Sequence, residues 1–587
     1  MKYRIKFLPG IILLLSLACT KTGIQKVSIV ETTDVHGVIL PYDFIEKREL
    51  KSSLASTATY LKQLRKGKNH VILLDNGDNL QGQPAVYYYN FIDTASLHIN
   101  AAAMNFLGYH AATVGNHDIE AGHAVYDRLV KAYDFPLLAA NAVNIKSGEP
   151  YFKPYTIIRK NGIKIAVFGL ITPAVPDWLP PELYAGMEFR DMLETAEKWM
   201  PVIKAENPDI IVGLFHSGWD ISQNRMRDGY ETETSGSSSV AINVPGFDII
   251  FTGHDHRIAN EIIINNVGDS VLILNGGSRS ENLAQADILI CGKEPGGRLR
   301  KSVTGRIIDV DLCRPDPSFM KRFSEHKKTV KEYVDKEIAT LSDNVTSRDA
   351  YFGSSAFVDM IHSVQHEITG ADISFAAPLS FDVSISKGPV TVGDMFKLYR
   401  FENMLYTVWM TGHEIIKYLE FSYSQWLNTM NSPDDLLLRV RTDKNNKPEL
   451  TNGRAWLRNQ AYNFDSAAGI DYTVDVSKPA GSRIVISSLS NGNAFDPDAR
   501  YKVAVNSYRG NGGGGHFEEG AGIGKEELKS RIIASTDKDL RYYILKDMES
   551  KKEINPVVYN NWKIIPEEWM RTAVPRDYKF LFGSTDY

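Results

Sequence analysis

Cysteine is scarce: three among 587 residues. Cys19 lies at the end of an apolar leader, which leaves Cys291 and Cys313, enough for one disulfide or for two buried thiols. So few exclude a disulfide-stapled scaffold and a Cys-rich structural zinc site. An excess of either charge is also missing. Lys and Arg total 66 against 71 Asp and Glu, a net charge of −5. That counts against the basic face a polynucleotide partner needs. Long apolar runs are absent beyond the leader, and Leu8 to Leu17 is too short to span a bilayer comfortably. There is no internal repeat, and Gly510 to Gly515 is the one Gly-rich loop. What is present is a globular composition, 43% hydrophobic and 23% charged, in a chain long enough for two large domains.

Lys2, Arg4 and Lys6 precede the apolar run and Ala18-Cys19 follows it, the order of a secretory signal. Residues 1–19 resemble a bacterial lipoprotein leader, whose Cys takes the lipid and becomes the mature N-terminus. Ser16 departs from that pattern, which has a larger aliphatic residue three before the Cys; a plain cleaved signal peptide is the alternative. The resemblance implies an exported, periplasmic protein that is lipid-anchored to the outer membrane and touches the membrane only there.

The chemistry concentrates at five turns. Each follows a short β-branched apolar run that reads as a buried parallel strand. Val27 to Thr33 leads to Asp34 and His36, and Val71 to Asp75 leads to Gly77-Asp78. Ala112 to Val114 leads to Gly115-Asn116-His117-Asp118, Ile210 to Phe215 leads to His216, and Ile249 to Thr252 leads to Gly253-His254-Asp255-His256. In an open α/β sheet the carboxyl ends of parallel strands share one edge, where ligands bind. The turns would therefore gather carboxylates, imidazoles and an amide in one place, a set suited to two divalent metals.

These blocks, in this order, resemble the calcineurin-like metallophosphoesterase family: D-x-H, G-D, G-N-H-[DE], H and G-H-x-H. The resemblance implies that Asp34, His36 and His256 hold one metal, that Asn116, His216 and His254 hold a second, and that Asp78 bridges them. The ions would be drawn from Mn, Zn, Fe, Co and Mg. Two such ions supply a nucleophile at neutral pH and relieve charge on a phosphoryl group. His117 would face the phosphate and stabilise or protonate the departing oxygen. Its partner would be Glu120, with Asp118 as runner-up, and Asp255 reads as a local turn residue.

The second half resembles the C-terminal domain of the 5′-nucleotidase family, which supplies the nucleoside pocket. Two aromatics there sandwich the base, and stacking needs only a π-face. Tyr508 is one; Tyr462 is the other, with Phe464 as its alternative. Arg509 and Asn511 complete the substrate set. Two departures bear on substrate. Ala377-Pro378-Leu379-Ser380-Phe381 stands where 5′-nucleotidases carry Asn-Gly-Gly-Ile-Arg, and Gly514 stands where they carry an Asp for the ribose hydroxyls. The pattern is closer to 2′,3′-cyclic-nucleotide 2′-phosphodiesterase/3′-nucleotidases.

The expected fold is thus an α/β metallophosphoesterase domain of β-sheets flanked by helices, plus a smaller α+β nucleotidase domain. The expected divisions are a leader at 1–19, a phosphoesterase domain at 25–315, a linker helix at 316–345, a substrate domain at 346–550, and a tail at 551–587 with no assigned role. The expected partner is a small nucleotide rather than a polynucleotide. A 5′-nucleotidase or UDP-sugar hydrolase, and a nucleotide-binding lipoprotein without turnover, are the competing functions.

Overall fold

The computed structural model describes residues 25–67, 70–219, 236–293, 299–445 and 447–583. The leader at residues 1–19 lies outside the described residues. Among the described residues no helix is long and apolar enough to cross a membrane.

The first half is a sandwich of two six-stranded sheets. One sheet has the order Leu299–Asp309, Asn282–Lys293, Gln25–Thr32, His70–Asp75, Ala111–Thr113, Leu137–Leu138. The last four strands run parallel, and the first two join antiparallel at one edge. The other sheet has the order Ile258–Ile264, Ser270–Gly276, Ile249–Thr252, Ile210–His216, Ile163–Ile171, Tyr155–Lys160. Its four central strands are parallel and its two edge strands antiparallel.

The two sheets share one core. Val27, Ile29, Ile72 and Leu74 of the first pack with Ile165, Val167, Val212, Leu214 and Phe251 of the second. Each parallel strand is buried on both faces, because helices cover the outer sides. The helix Leu54–Lys66 shows why such segments fold as they do. Leu54, Ala55, Ala58 and Leu61 make one buried stripe, Ser53 caps its start in extended conformation, and Arg65 and Lys66 sit in its last turn, where the helix dipole favours cations. The five motif-bearing strands were expected in one sheet. Three lie in the first sheet and two in the second, so the functional edge is where two sheets meet.

The second half is a smaller α+β unit. Its five-stranded sheet has the order Ser466–Ala468, Ile373–Ala376, Arg500–Asn506, Met404–Thr411, Ile532–Asp539, with one parallel pair. Helices Ala356–Thr369 and Leu540–Lys551 serve the core on one side, and helix Gly412–Trp426 serves that on the other.

Some local expectations differ from the structure. The helix read over 95–107 is Ile99–Leu107, because the His98 ring accepts from the Asn100 N–H and starts it there. The strand pair read over 296–312 is Asn282–Lys293 with Leu299–Asp309. In place of one linker helix there are two, Pro317–Arg322 and Ser324–Val334, and then the strand Glu337–Leu341. Phe323 breaks the helical run with φ −105° and ψ 16°. Cys313 is a free thiol.

Residues after 550 belong to the second domain's core. Glu553–Ile554 pairs in parallel with Glu337–Leu341, and Trp562–Ile565 with Ile470–Asp475. The buried Trp562 ring stacks on Tyr472 at 5.9 Å and 10°, with Tyr423 and Trp426 beside it. Trp562→Ala should therefore lower the unfolding free energy by about 3–5 kcal/mol, read by urea denaturation. A loss of about 1 kcal/mol or less, the scale of a surface change, would mean that this segment is not an integral part of the core.

Candidate active site

The motif turns converge at the carboxyl edges of both sheets. Asp34, His36, Asp78, His254 and His256 all adopt left-handed backbone, with φ of 49°, 49°, 57°, 73° and 57°. Each such residue costs about 1–3 kcal/mol, so five of them together are strain kept for a purpose. Gly115 has no room for a side chain: a Cβ there would lie 2.2 Å from Asp78 Oδ1.

Two donor sets result. One ligand atom each from Asp34, His36 and His256 lies within 4.8 Å of the others, and the same holds for Asp78, His216 and His254. His36 Nε2 is 3.0 Å from His256 Nε2, which is 3.3 Å from Asp34 Oδ1. The Asn116 amide oxygen closes the second set, 2.9 Å from His254 Nδ1 and 3.1 Å from His216 Nε2. All seven expected ligands are thus in one place.

The donors fit two divalent ions. Oxygen and imidazole donors without thiolate suit Mn, Fe, Zn and similar metals. Burial holds His36 and His254 down at about 3, in the neutral form that ligation requires. Burial works against charge on His216, but Asp78, with Oδ2 3.1 Å away, outweighs it and lifts the ring to about 10. A positive charge is what this pocket favours. Asp78 Oδ2 is buried with no aligned hydrogen-bond donor. Backbone carbonyls orient two of the rings: His36 Nδ1 is 3.1 Å from Gln81 O, and His216 Nδ1 is 2.5 Å from Asn76 O. Metals held here would supply a nucleophile at neutral pH and offset phosphoryl charge.

His117 lies beside these sets, its ring edge-on to His36 at 5.5 Å. Its Nδ1 meets Glu120 Oε2 at 2.5 Å, so Glu120 rather than Asp118 is the partner. Burial opposes the charge on His117, yet Asp78 and Glu120 push it up to about 9. Asp118 has another job. Its carboxylate accepts the backbone N–H groups of Gly115, Asp78, Asn79 and Leu80 at 2.8–3.1 Å. Asp255 braces its own turn through the Arg257 N–H and ties it to the loop after His216 through the Trp219 N–H.

Two further residues escaped the sequence reading. Trp178 stacks on His254 at 5.3 Å and 26°, and the strand ending at Ile171 was the one signal pointing to that loop. Asp75 accepts from the Thr32 hydroxyl at 2.6 Å and from Gly77 N–H at 3.0 Å. It anchors the Asp78 turn from behind, and burial lifts it to about 7.

The second domain closes over this edge. Asp177, next to Trp178, pairs with Lys525 at 2.9 Å, and the Tyr87 hydroxyl meets Asp539 at 3.3 Å. Tyr462 and Tyr508 are half-buried, but their rings are perpendicular, 6.2 Å apart at 89°, not the parallel pair expected. Two expected substrate residues are corrected. Phe464 is 0% exposed and packs edge-on against Trp426 and Tyr351, so it is core. Arg509 is 1% exposed and spends all its donors within the protein. Nε and Nη2 hold Asp465, Nη1 holds Asn463 Oδ1 and Gly513 O, and Nη2 also holds Tyr462 O. It ties the Tyr462 loop to the glycine loop and has nothing left for a ligand. Asn511 is half-buried with an unpartnered, buried amide Nδ2.

The family model for calcineurin-like phosphoesterases matches residues 27–257, and that for the 5′-nucleotidase C-terminal domain matches residues 337–519. This chain belongs to the family that joins these two domains. Curated relatives extend along nearly its whole length. A Yersinia enterocolitica 2′,3′-cyclic-nucleotide 2′-phosphodiesterase/3′-nucleotidase is 25% identical over 94% of this chain and 89% of its own. The Salmonella typhimurium protein of the same name is 27% identical over 96% of this chain and 92% of its own. A Staphylococcus aureus crystal structure described as a 5′-nucleotidase superposes with a TM-score of 0.75 at 20% identity, covering 92% of this chain and 100% of that one. The chain is therefore a metal-dependent phosphohydrolase of the calcineurin-like superfamily.

His117 touches both donor sets without belonging to either. His117→Ala should cut kcat about 10²–10⁴-fold while elemental analysis still finds two metals per chain. Loss of a metal from that variant would make His117 a ligand.

Proposed function

We propose that this two-metal site hydrolyses nucleotide phosphate esters, opening 2′,3′-cyclic nucleotides and then removing the 3′-phosphate to release the nucleoside. The observation that carries this reading is Gly514. It sits at φ +74°, and a Cβ there would lie 2.3 Å from Arg509 Nη1 and 2.7 Å from Asn463 Oδ1. The position where 5′-nucleotidases carry a ribose-binding Asp is thus blocked by the arginine that fastens the loop. No carboxylate can be placed there to grip the 2′ and 3′ hydroxyls, and none repels a phosphate attached to them. The full-length relatives named for cyclic-phosphodiesterase and 3′-nucleotidase activity support the same substrate class.

His117 does the proton chemistry in this reading. Glu120 engages Nδ1, which leaves Nε2 to protonate the oxygen that departs, first O2′ and then O3′. Asp78 holds the backbone turn that carries His117, since the His117 N–H donates to Asp78 Oδ1 at 2.8 Å. Tyr462 and Tyr508 would receive the base, and the unused Asn511 Nδ2 is a donor for the nucleoside.

Phosphate and nucleoside release from 2′,3′-cyclic AMP, 3′-AMP and 5′-AMP, each with Mn and with chelator, tests the reading. Turnover of the first two, abolished by chelator, is expected. Dominant 5′-AMP turnover would favour the 5′-nucleotidase alternative, and tight nucleotide binding without turnover would favour a binding protein. We also propose, from the leader sequence, that the protein works in the periplasm with Cys19 lipid-anchored. Cys19→Ser should move it from the membrane fraction to the soluble one, and an unchanged membrane fraction would count against the anchor.

A further inference from the structure

A carboxylate outside the metal sets stands in the cleft with half its bonding unused. Glu402 lies on the loop between helix Val392–Leu398 and strand Met404–Thr411 of the second domain. Its side chain is 10% exposed. Oε1 accepts from Arg541 Nη1 at 2.7 Å, whereas Oε2 is buried with no hydrogen-bond partner. A buried polar atom left unmet is costly, and more so when charged. Native structures seldom retain one without a reason.

The loop is built to hold that carboxylate still. Arg541 donates to the carbonyls of Tyr399 and Arg400 as well as to Glu402. Its guanidinium lies between the rings of Phe396, 4.1 Å away, and of Tyr87 from the first domain, 4.9 Å away. Glu402 is thereby fixed at the domain boundary. Its charge reaches both His117 and Glu120, so it lies near the proton-donating pair.

We propose that Glu402 Oε2 accepts the ribose hydroxyl next to the reacting phosphate, and that Glu402 therefore sets a preference for ribonucleotides over deoxyribonucleotides. The inference rests on the 3′-phosphate reading above. When C3′ faces the metals, the neighbouring 2′-hydroxyl comes to the metal side of the sugar. A carboxylate that would be out of place at position 514 is then well placed at 402. Arg541 holds the other oxygen, although burial still lifts Glu402 to about 7; in its carboxylate form Oε2 would make a charge-assisted bond, the stronger kind. A site made to bond a hydroxyl discriminates against the analogue that lacks it, because its polar atom is then left unmet.

The test compares kcat/KM for 3′-AMP, 2′-deoxyadenosine 3′-monophosphate and bis(p-nitrophenyl) phosphate, which has no sugar. Wild type should prefer the ribonucleotide by roughly tenfold or more. Glu402→Ala should erase that preference by lowering the 3′-AMP value alone, leaving the other two substrates unchanged. Should Glu402→Ala fail to fold, Glu402→Gln keeps the shape and a weaker acceptor, and should reduce the preference while circular dichroism matches wild type. Equal wild-type turnover of the two nucleotides, or a variant that loses all three substrates together, overturns the assignment while the 3′-nucleotidase reading stands. Hydrolysis of bis(p-nitrophenyl) phosphate with neither nucleotide touched overturns that reading and the inference with it.

Discussion

Everything at the functional edge depends on one carboxylate that touches no substrate. Asp118 accepts four backbone N–H groups, one from its own turn and three from the Asp78 turn. It thereby fastens the Asn116-His117 loop to the Asp78 loop. Without it, two strands of one sheet would end in separate, strained turns. With it, the left-handed Asp78 is held in place, and the strain of that turn is carried by ordinary hydrogen bonds. The glycine at 115 completes the arrangement by letting Asp78 approach where a side chain would collide.

The charge pattern follows from that packing. The donor sets gather carboxylates with imidazoles, two of which, His36 and His254, are held neutral by burial, and Glu31 and Asp75 lie behind them. Burial and neighbouring carboxylates push both of these above their usual range. Such a cluster is unfavourable by itself and becomes favourable around cations. The His117–Glu120 pair sits at its rim, where the ring is partly open to the cleft, with side-chain exposure of 26%. The two donor sets are mostly buried, with His256 the exposed member at 44%, and the His117 ring stands beside them, partly open.

Much of this was legible in the sequence, because each ligand turn is local. A short apolar strand followed by Gly-His-x-His or Gly-Asn-His keeps its meaning whatever the neighbouring sheet. What was not legible was long-range. A buried strand reads the same in one sheet or two, so the sandwich was invisible. Arg509, beside a tyrosine and a glycine loop, had the look of a ligand contact. Its acceptors at Tyr462, Asn463 and Asp465 lie more than forty residues earlier. Ile338 continued the helical spacing of Phe323, Val330 and Val334, yet it is buried in a strand, because the four-residue step from Val334 fits both a helical turn and strand alternation.

The last turns of the chain have a consequence for biogenesis. The second domain begins with Glu337–Leu341, which pairs with Glu553–Ile554 in a small three-stranded sheet, so segments from its two ends are stitched to each other. The sandwich, by contrast, has all its strands by Asp309. A chain emerging N-terminus first can complete the metal-binding half early. The second half must wait for Glu553–Ile554 and Trp562–Ile565, so the donor sets can be assembled before the domain that packs beside them.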